Sequence, residues 1–200
     1  LTIWSERAGV DIVKQAMAKW PNVPACNGWL GLDARGQWWL RDDPAQACGS
    51  FTSGKPGAKG NELRHEKLAD FIARNYLAEP DGRWYFQNGP QRVYVELEAA
   101  PWIWRVRCSE QGVYLHSHTG QELQLAQVQQ AVMDERGRLF LALPQGLGMV
   151  HSLDMLDAAN ALECGDLPEL KEVSSASLPE QFGFVLSPEA MCRIPDDHKV

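Results

Sequence analysis

The stretch RVYVELEAAPWIWRVRC, residues 92–108, constrains this chain more than any other. Val93, Val95 and Leu97 alternate with Arg92, Tyr94, Glu96 and Glu98. Trp104, Val106 and Cys108 alternate with Ile103, Arg105 and Arg107. A period of two puts successive side chains on opposite faces of a strand. The pattern specifies strands over 92–98 and 103–108. With 99–102 as a four-residue hairpin loop, Leu97 faces Trp104, Val95 faces Val106, and Glu96 faces Arg105. Apolar then meets apolar, and opposite charges meet on the other face. A one-residue slip would break both matches. Glu96 and Glu98 are therefore expected on a salt-bridged sheet face, in preference to an acid–base pair.

The rest of the chain reads as α+β. Ser5 can cap a helix over 6–19, with Val10, Val13, Ala16, Met17 and Trp20 along one side. Strands follow near 28–33 and 37–42, joined by a turn at Asp33-Ala34-Arg35-Gly36 that fits a type I turn with a glycine bulge. Residues 43–60 read as a loop, and 62–77 as a helix capped by Asn61. RWYFQ is a strand, and further strands are expected near 111–116, 121–125 and 128–133 and at RLFLAL. SLDMLDAANAL reads as a helix capped by Ser152, FGFVLSP as a strand, and the polar end as mobile. DARGQWWL, EPDGRWYF and DERGRLFL share one turn-and-strand pattern, which suggests a duplicated hairpin-plus-helix unit or simply a reused turn. The expected parts are an N-terminal helix in 1–21, an α+β subdomain over 22–90, and an antiparallel-sheet subdomain over 91–200.

Composition excludes several function classes. A net charge of −7 is the wrong sign for nucleic acid or an anionic membrane surface. No apolar run reaches the roughly 18 residues of a membrane helix. The N-terminal stretch carries charge throughout and lacks a signal peptide's apolar block. The five cysteines, 26, 48, 108, 164 and 192, are widely spaced, which fits free thiols in a reducing, cytoplasmic setting and no zinc site.

No motif names a reaction. GSFTSGKPG matches the P-loop spacing at Gly49, Gly54 and Lys55, but Pro56 stands where a Mg²⁺-binding hydroxyl is needed. No buried strand precedes it and no helix start follows. His116 and His118 share a face but lack a third ligand, so they read as exposed turn histidines. His151 and Asp154 lie at a strand-to-helix junction, where a helix N-terminus favours anions; local capping is the alternative. Asn88 makes a turn, and Arg92 beside it could join an anion pocket or serve the neighbouring carboxylates. Eight tryptophans are many for this length. Trp38, Trp84 and Trp104 fall on core faces, while Trp29, Trp39 and Trp102 are expected to be partly exposed.

PACNGWLGLDARGQWWLRD and WYFQNGPQRVYVELEAAPWIWRV resemble an uncharacterised proteobacterial family, a domain of unknown function, from about Trp20 to Asn160. More distantly the chain is similar to a family with a duplicated α+β core and a pleckstrin-homology-like second half. That family has V-E-D-A-P where Leu97-Glu98-Ala99-Ala100-Pro101 stand here. The resemblance implies a signalling module that holds a nucleotide-like ligand between its halves. It supplies no catalytic residues and implies no cofactor. Three functions stay open: a sensor for an anionic small molecule near Asn88, Arg92, His151 and Asp154; a homodimeric or scaffold protein with a tryptophan-rich surface; and a hydrolase-like enzyme using His151 and a carboxylate.

Overall fold

A computed structural model describes residues 23–109 and 112–192. The helix expected over 6–19 and the polar end beyond 192 lie outside the described residues. The first sheet holds strands β1 (Cys26–Leu32), β2 (Trp38–Leu40), β3 (Asn61–Glu62), β4 (Tyr76–Ala78), β5 (Trp84–Asn88) and β6 (Gln91–Leu97). Its spatial order is β3-β2-β1-β6-β5-β4. Helices α1 (Asp43–Cys48) and α2 (Glu66–Arg74) flank β3 in sequence. The second sheet holds β7 (Trp102–Ser109), β8 (Gly112–Ser117), β9 (Glu122–Gln124), β10 (Gln130–Asp134), β11 (Leu139–Leu143), β12 (Gly146–Val150) and β13 (Leu170–Val173), ordered β13-β10-β11-β12-β7-β8-β9. Helices α3 (Met155–Glu163), α4 (Leu178–Phe182) and α5 (Pro188–Cys192) follow in the C-terminal part.

The two sheets share one plan. Three strands run out by antiparallel hairpins, a connector follows, and three more return. The first strand then pairs in parallel with the last: β1 with β6, and β7 with β12. The repeat is thus a six-stranded unit, larger than a hairpin plus helix. The echoed turn serves four hairpins. At Asp33–Gly36, Glu79–Gly82, Ser117–Gly120 and Asp134–Gly137 the glycine N–H bonds back to the first residue's carbonyl. Each of these glycines has a positive φ, which a residue with a Cβ adopts only at a cost.

The hairpin expected between 92–98 and 103–108 is not formed. Leu97 pairs with Leu32 and Glu96 with Gly31, whereas Arg105 pairs with His116. The Glu98 N–H still bonds to Leu32, so β6 stays with β1 to its end. Buried Ala99 and Ala100 then carry the chain across to the other sheet, where the Tyr76 hydroxyl donates to Pro101. The alternation was nonetheless meaningful. Val95, Leu97, Trp104 and Val106 share one core between the sheets rather than one hydrogen-bonded ladder.

Other expectations need correction. The loop at 43–60 contains α1, capped by Asp42, whose carboxylate accepts from Ala45 N at 3.0 Å. Asn61 starts a strand, and α2 begins only after His65, because residues 61–62 pair with β2. FGFVLSP is no strand: Phe182 ends α4, and the next residues make isolated backbone bonds from Val185 to Gly82 and from Leu97 to Leu186. Trp102 is buried, stacked on Trp104 with centroids 5.5 Å apart.

Candidate functional site

The four residues singled out from the sequence lie in two places. Asn88 is exposed at the end of β5. Arg92, on β6, donates to Glu79 at 2.5 Å and lies over the Tyr85 ring. His151 follows β12, and its Nδ1 accepts from Leu153 N at 3.1 Å, so it caps the short 3₁₀ turn Ser152–Asp154 in place of Ser152. Asp154 accepts from Arg105 at 2.5 and 2.9 Å and from Val106 N at 3.1 Å. Burial alone would raise its pKa, but the hydrogen bonds and charge of Arg105 outweigh that and hold it below the ordinary value. Burial, and then the Arg105 charge, depress the pKa of His151. Among the described residues no hydrogen bond or ion pair joins Asn88 or Arg92 to His151 or Asp154. Arg92, His151 and Asp154 are already engaged by neighbours, and Asn88 stands exposed.

His118 is also engaged, not a solvent-facing turn residue. Its Nδ1 accepts from Ile103 N at 3.3 Å, and its ring packs against Trp38, Tyr76 and Trp102. Nε2 is covered and has no hydrogen-bond partner. Burial drops the pKa to about 3, so the imidazole is neutral near pH 7. A neutral ring whose Nδ1 accepts must carry its proton on Nε2.

A cleft of about 350 Å³ opens where the two sheets and the C-terminal segment meet. Glu96, Glu98 and the β6 exit form one wall. Arg136 and Arg138, from the β10–β11 turn, form another, with Ser175 beside them. Ser50 and Thr52 enter from the segment after α1, and Ser187 from the segment before α5. Each wall is held by named bonds. Asp134 accepts from Arg136 N, Arg138 N and Arg138 Nε at 3.0, 2.9 and 2.7 Å, which shapes the arginine turn. Glu135 accepts from the Ser175 hydroxyl and N–H, and those bonds pull its pKa down to about 2. Glu98 accepts from Ala34 N at 2.8 Å and Lys59 Nζ at 3.0 Å.

Glu96 is the unusual member. It is buried and accepts from the Ser187 hydroxyl at 2.5 Å and Glu189 N at 2.9 Å. Burial raises its pKa in spite of both bonds. Its expected partner, Arg105, belongs to Asp154. The Arg136 guanidinium, by contrast, has no carboxylate within ion-pair range among the described residues. Sequence reading passed over this site because its walls come from five separate segments. Each piece has its own local reading, Glu96 and Glu98 as residues of a salt-bridged sheet face, GSFTSGKPG as a loop, FGFVLSP as a strand and Asp134–Gly137 as a hairpin turn, and nothing local joins them.

Among the described residues no group of three or more His, Cys, Asp or Glu could hold a metal. No described helix is long and apolar enough to cross a membrane.

The fold and cleft define a domain of two topologically repeated sheets in the α+β class. Residues 10–189 match the model of family DUF2944, described as "Protein of unknown function (DUF2946)", and the chain belongs to that family. No curated protein matches it. Two solved structures are similar. A DUF1285 family protein from Shewanella baltica OS155 is 16% identical, covering 70% of this chain and 96% of that one, with a TM-score of 0.45. A DUF1285 family protein from Silicibacter pomeroyi DSS-3 is 15% identical, covering 86% of this chain and 87% of that one, with a TM-score of 0.46.

Proposed function

We propose that this protein is a ligand-binding or sensor module that holds an anionic, nucleotide-like small molecule in the cleft between its two sheets. The observation that carries this reading is the Arg136 guanidinium, which lines the cleft with no carboxylate in ion-pair range among the described residues, the neighbouring Glu135 acting with it only through charge. Arg138 beside it is neutralised in part by Asp134. Together with the Ser175 hydroxyl they suit a phosphate or carboxylate, to which arginine can donate two parallel bonds. The opposite wall offers the acceptors Glu96 and Glu98 and the hydroxyls of Ser50, Thr52 and Ser187. Acceptors of this kind suit sugar or base donors. A ligand with an anionic end and a hydroxylated end satisfies both walls, and a cleft of this size suits a small metabolite. This places the ligand away from Asn88, Arg92, His151 and Asp154.

Native mass spectrometry of gently purified protein tests for a retained ligand. Calorimetric titration with nucleoside monophosphates and with inorganic phosphate then tests the site. Arg136→Ala should weaken binding by about tenfold or more, the scale of a charged hydrogen bond. Arg92→Ala should leave it unchanged. No retained ligand together with no titratable binding would sink the reading, and loss on Arg92→Ala alone would move the site to the β5–β6 hairpin.

A further inference from the structure

An ionised carboxylate accepts hydrogen bonds and donates none. Two of them, Glu96 and Glu98, line the wall of the cleft that faces the arginine turn, and their oxygens are committed differently. Glu96 Oε1 accepts from Glu189 N and its Oε2 from the Ser187 hydroxyl. Glu98 uses one oxygen twice: Oε2 accepts from Ala34 N at 2.8 Å and from Lys59 Nζ at 3.0 Å. Among the described residues no hydrogen bond reaches Glu98 Oε1. Lys59 is itself fixed, 3.6 Å from Asp33 Oδ2 and 5.0 Å from the centre of the Trp39 ring. Glu98 is thus a preorganised acceptor with one oxygen to offer a ligand. The wall beside it is apolar. The Leu186 carbonyl accepts from Leu97 N at 2.8 Å, which places Leu186 next to the same strand, and its exposed side chain lines the cleft.

We propose, resting on the nucleotide-like ligand of the preceding subsection, that this end of the cleft selects guanine and that Glu98 reads the base. A base has two apolar faces and a polar edge, which matches Leu186 beside an acceptor. Among the four common bases only guanine sets two N–H donors, N1–H and N2–H, side by side on its pairing edge. Both can reach one carboxylate. Adenine and cytosine place a ring-nitrogen lone pair next to their amino group, and uracil flanks its N3–H with two carbonyls. Each of these would bring a lone pair up to Glu98 and lose a charged hydrogen bond. Lys59 is a positioning residue: it keeps Oε2 occupied and leaves Oε1 for the base.

Calorimetric titration of the full chain with GMP, IMP and AMP tests this. GMP should bind about a hundredfold more tightly than AMP, the scale of one charged hydrogen bond lost and one acceptor left unpaired. IMP, which lacks the N2 amino group, should fall between them. Glu98→Gln should bring GMP and AMP together, whereas Arg136→Ala should weaken both alike. Equal binding of GMP and AMP by the unaltered chain would overturn the guanine assignment and leave the nucleotide reading standing. Binding of neither would overturn both. A GMP preference that survives Glu98→Gln would remove Glu98 as the reader. If that variant fails to fold, the ratio of GMP to AMP affinity in the unaltered chain decides.

Discussion

The two sheets repeat one strand order but are covered in different ways. In the second sheet every residue of β11 is buried, and α3 follows β12 after only the short turn Ser152–Asp154. The first sheet depends on distant pieces. Phe51, from the segment between β2 and β3, lies over Gly31. Glu189, from α5, reaches Arg41, which is buried and also donates to Gly28 O, Gly49 O and Ala58 O. A repeated topology therefore does not repeat its packing. The second unit is covered mainly by neighbours in sequence, and the first by an insertion and by the far end of the chain.

Adding one methyl group to a strand in each sheet tests this contrast most strongly. A Cβ at Gly148 would stand 2.0 Å from Nε1 of fully buried Trp104. Gly148→Ala should cost about 3 kcal/mol or more, because the indole has nowhere to go. A Cβ at Gly31 would meet the Phe51 ring at 2.5 Å, but that ring sits on a loop that can withdraw. Gly31→Ala should cost about 1–2 kcal/mol. Urea denaturation of both variants measures the difference, and equal costs would break the contrast.

Asp154→Ala comes next, at about 2–3 kcal/mol, since it strands the Val106 N–H and removes a nearly buried partner of Arg105. The pH dependence is of similar or smaller size and reports on the seam between the sheets. His118 has a folded pKa of about 3, below the ordinary 6.5, so the unfolded chain takes the proton first. Its contribution is whole above pH 6.5 and falls as pH drops toward 3, by about 1.4 kcal/mol per unit. Stability should thus fall by about 2 kcal/mol between pH 6.5 and 5, with His151 adding in the same sense and raised Glu96 opposing. Denaturation of His118→Phe at several pH values isolates the His118 part; a slope unchanged from the parent would refute it. The smallest effect is expected from Arg92→Ala, about 1 kcal/mol or less, because the pair with Glu79 is partly solvated. A larger loss would make the first sheet's hairpin more important than its exposure implies.

What the sequence made legible was local. The Asp33–Gly36 turn, the Asp134–Gly137 turn and the alternation in 92–108 all rest on neighbours in sequence, and all were readable. Strand partners were not. Alternation tells which side of Val95 is buried, but it does not tell whether Trp104 lies beside it in a ladder or across a core. The parallel pairing of β1 with β6 joins residues more than sixty positions apart, and no local signal specifies it. The cleft was hidden for the same reason. Ser50, Glu96, Arg136, Ser175 and Ser187 are each ordinary in their own surroundings and become a site only when the two sheets meet. The fold family was legible because the hairpin segments carry it.

The pairing of Arg41 with Glu189 has a consequence for how the protein is made. The two residues are 148 positions apart, so on the ribosome Arg41 emerges long before the carboxylate that meets it. Until then a guanidinium waits at a place the finished first sheet buries, and Glu96 waits for Ser187. The first sheet is begun early and finished late. A nascent chain that stops before residue 187 would lack the Ser187 and Glu189 partners of Glu96 and Arg41, so the first sheet is sealed only by the last part of the described chain.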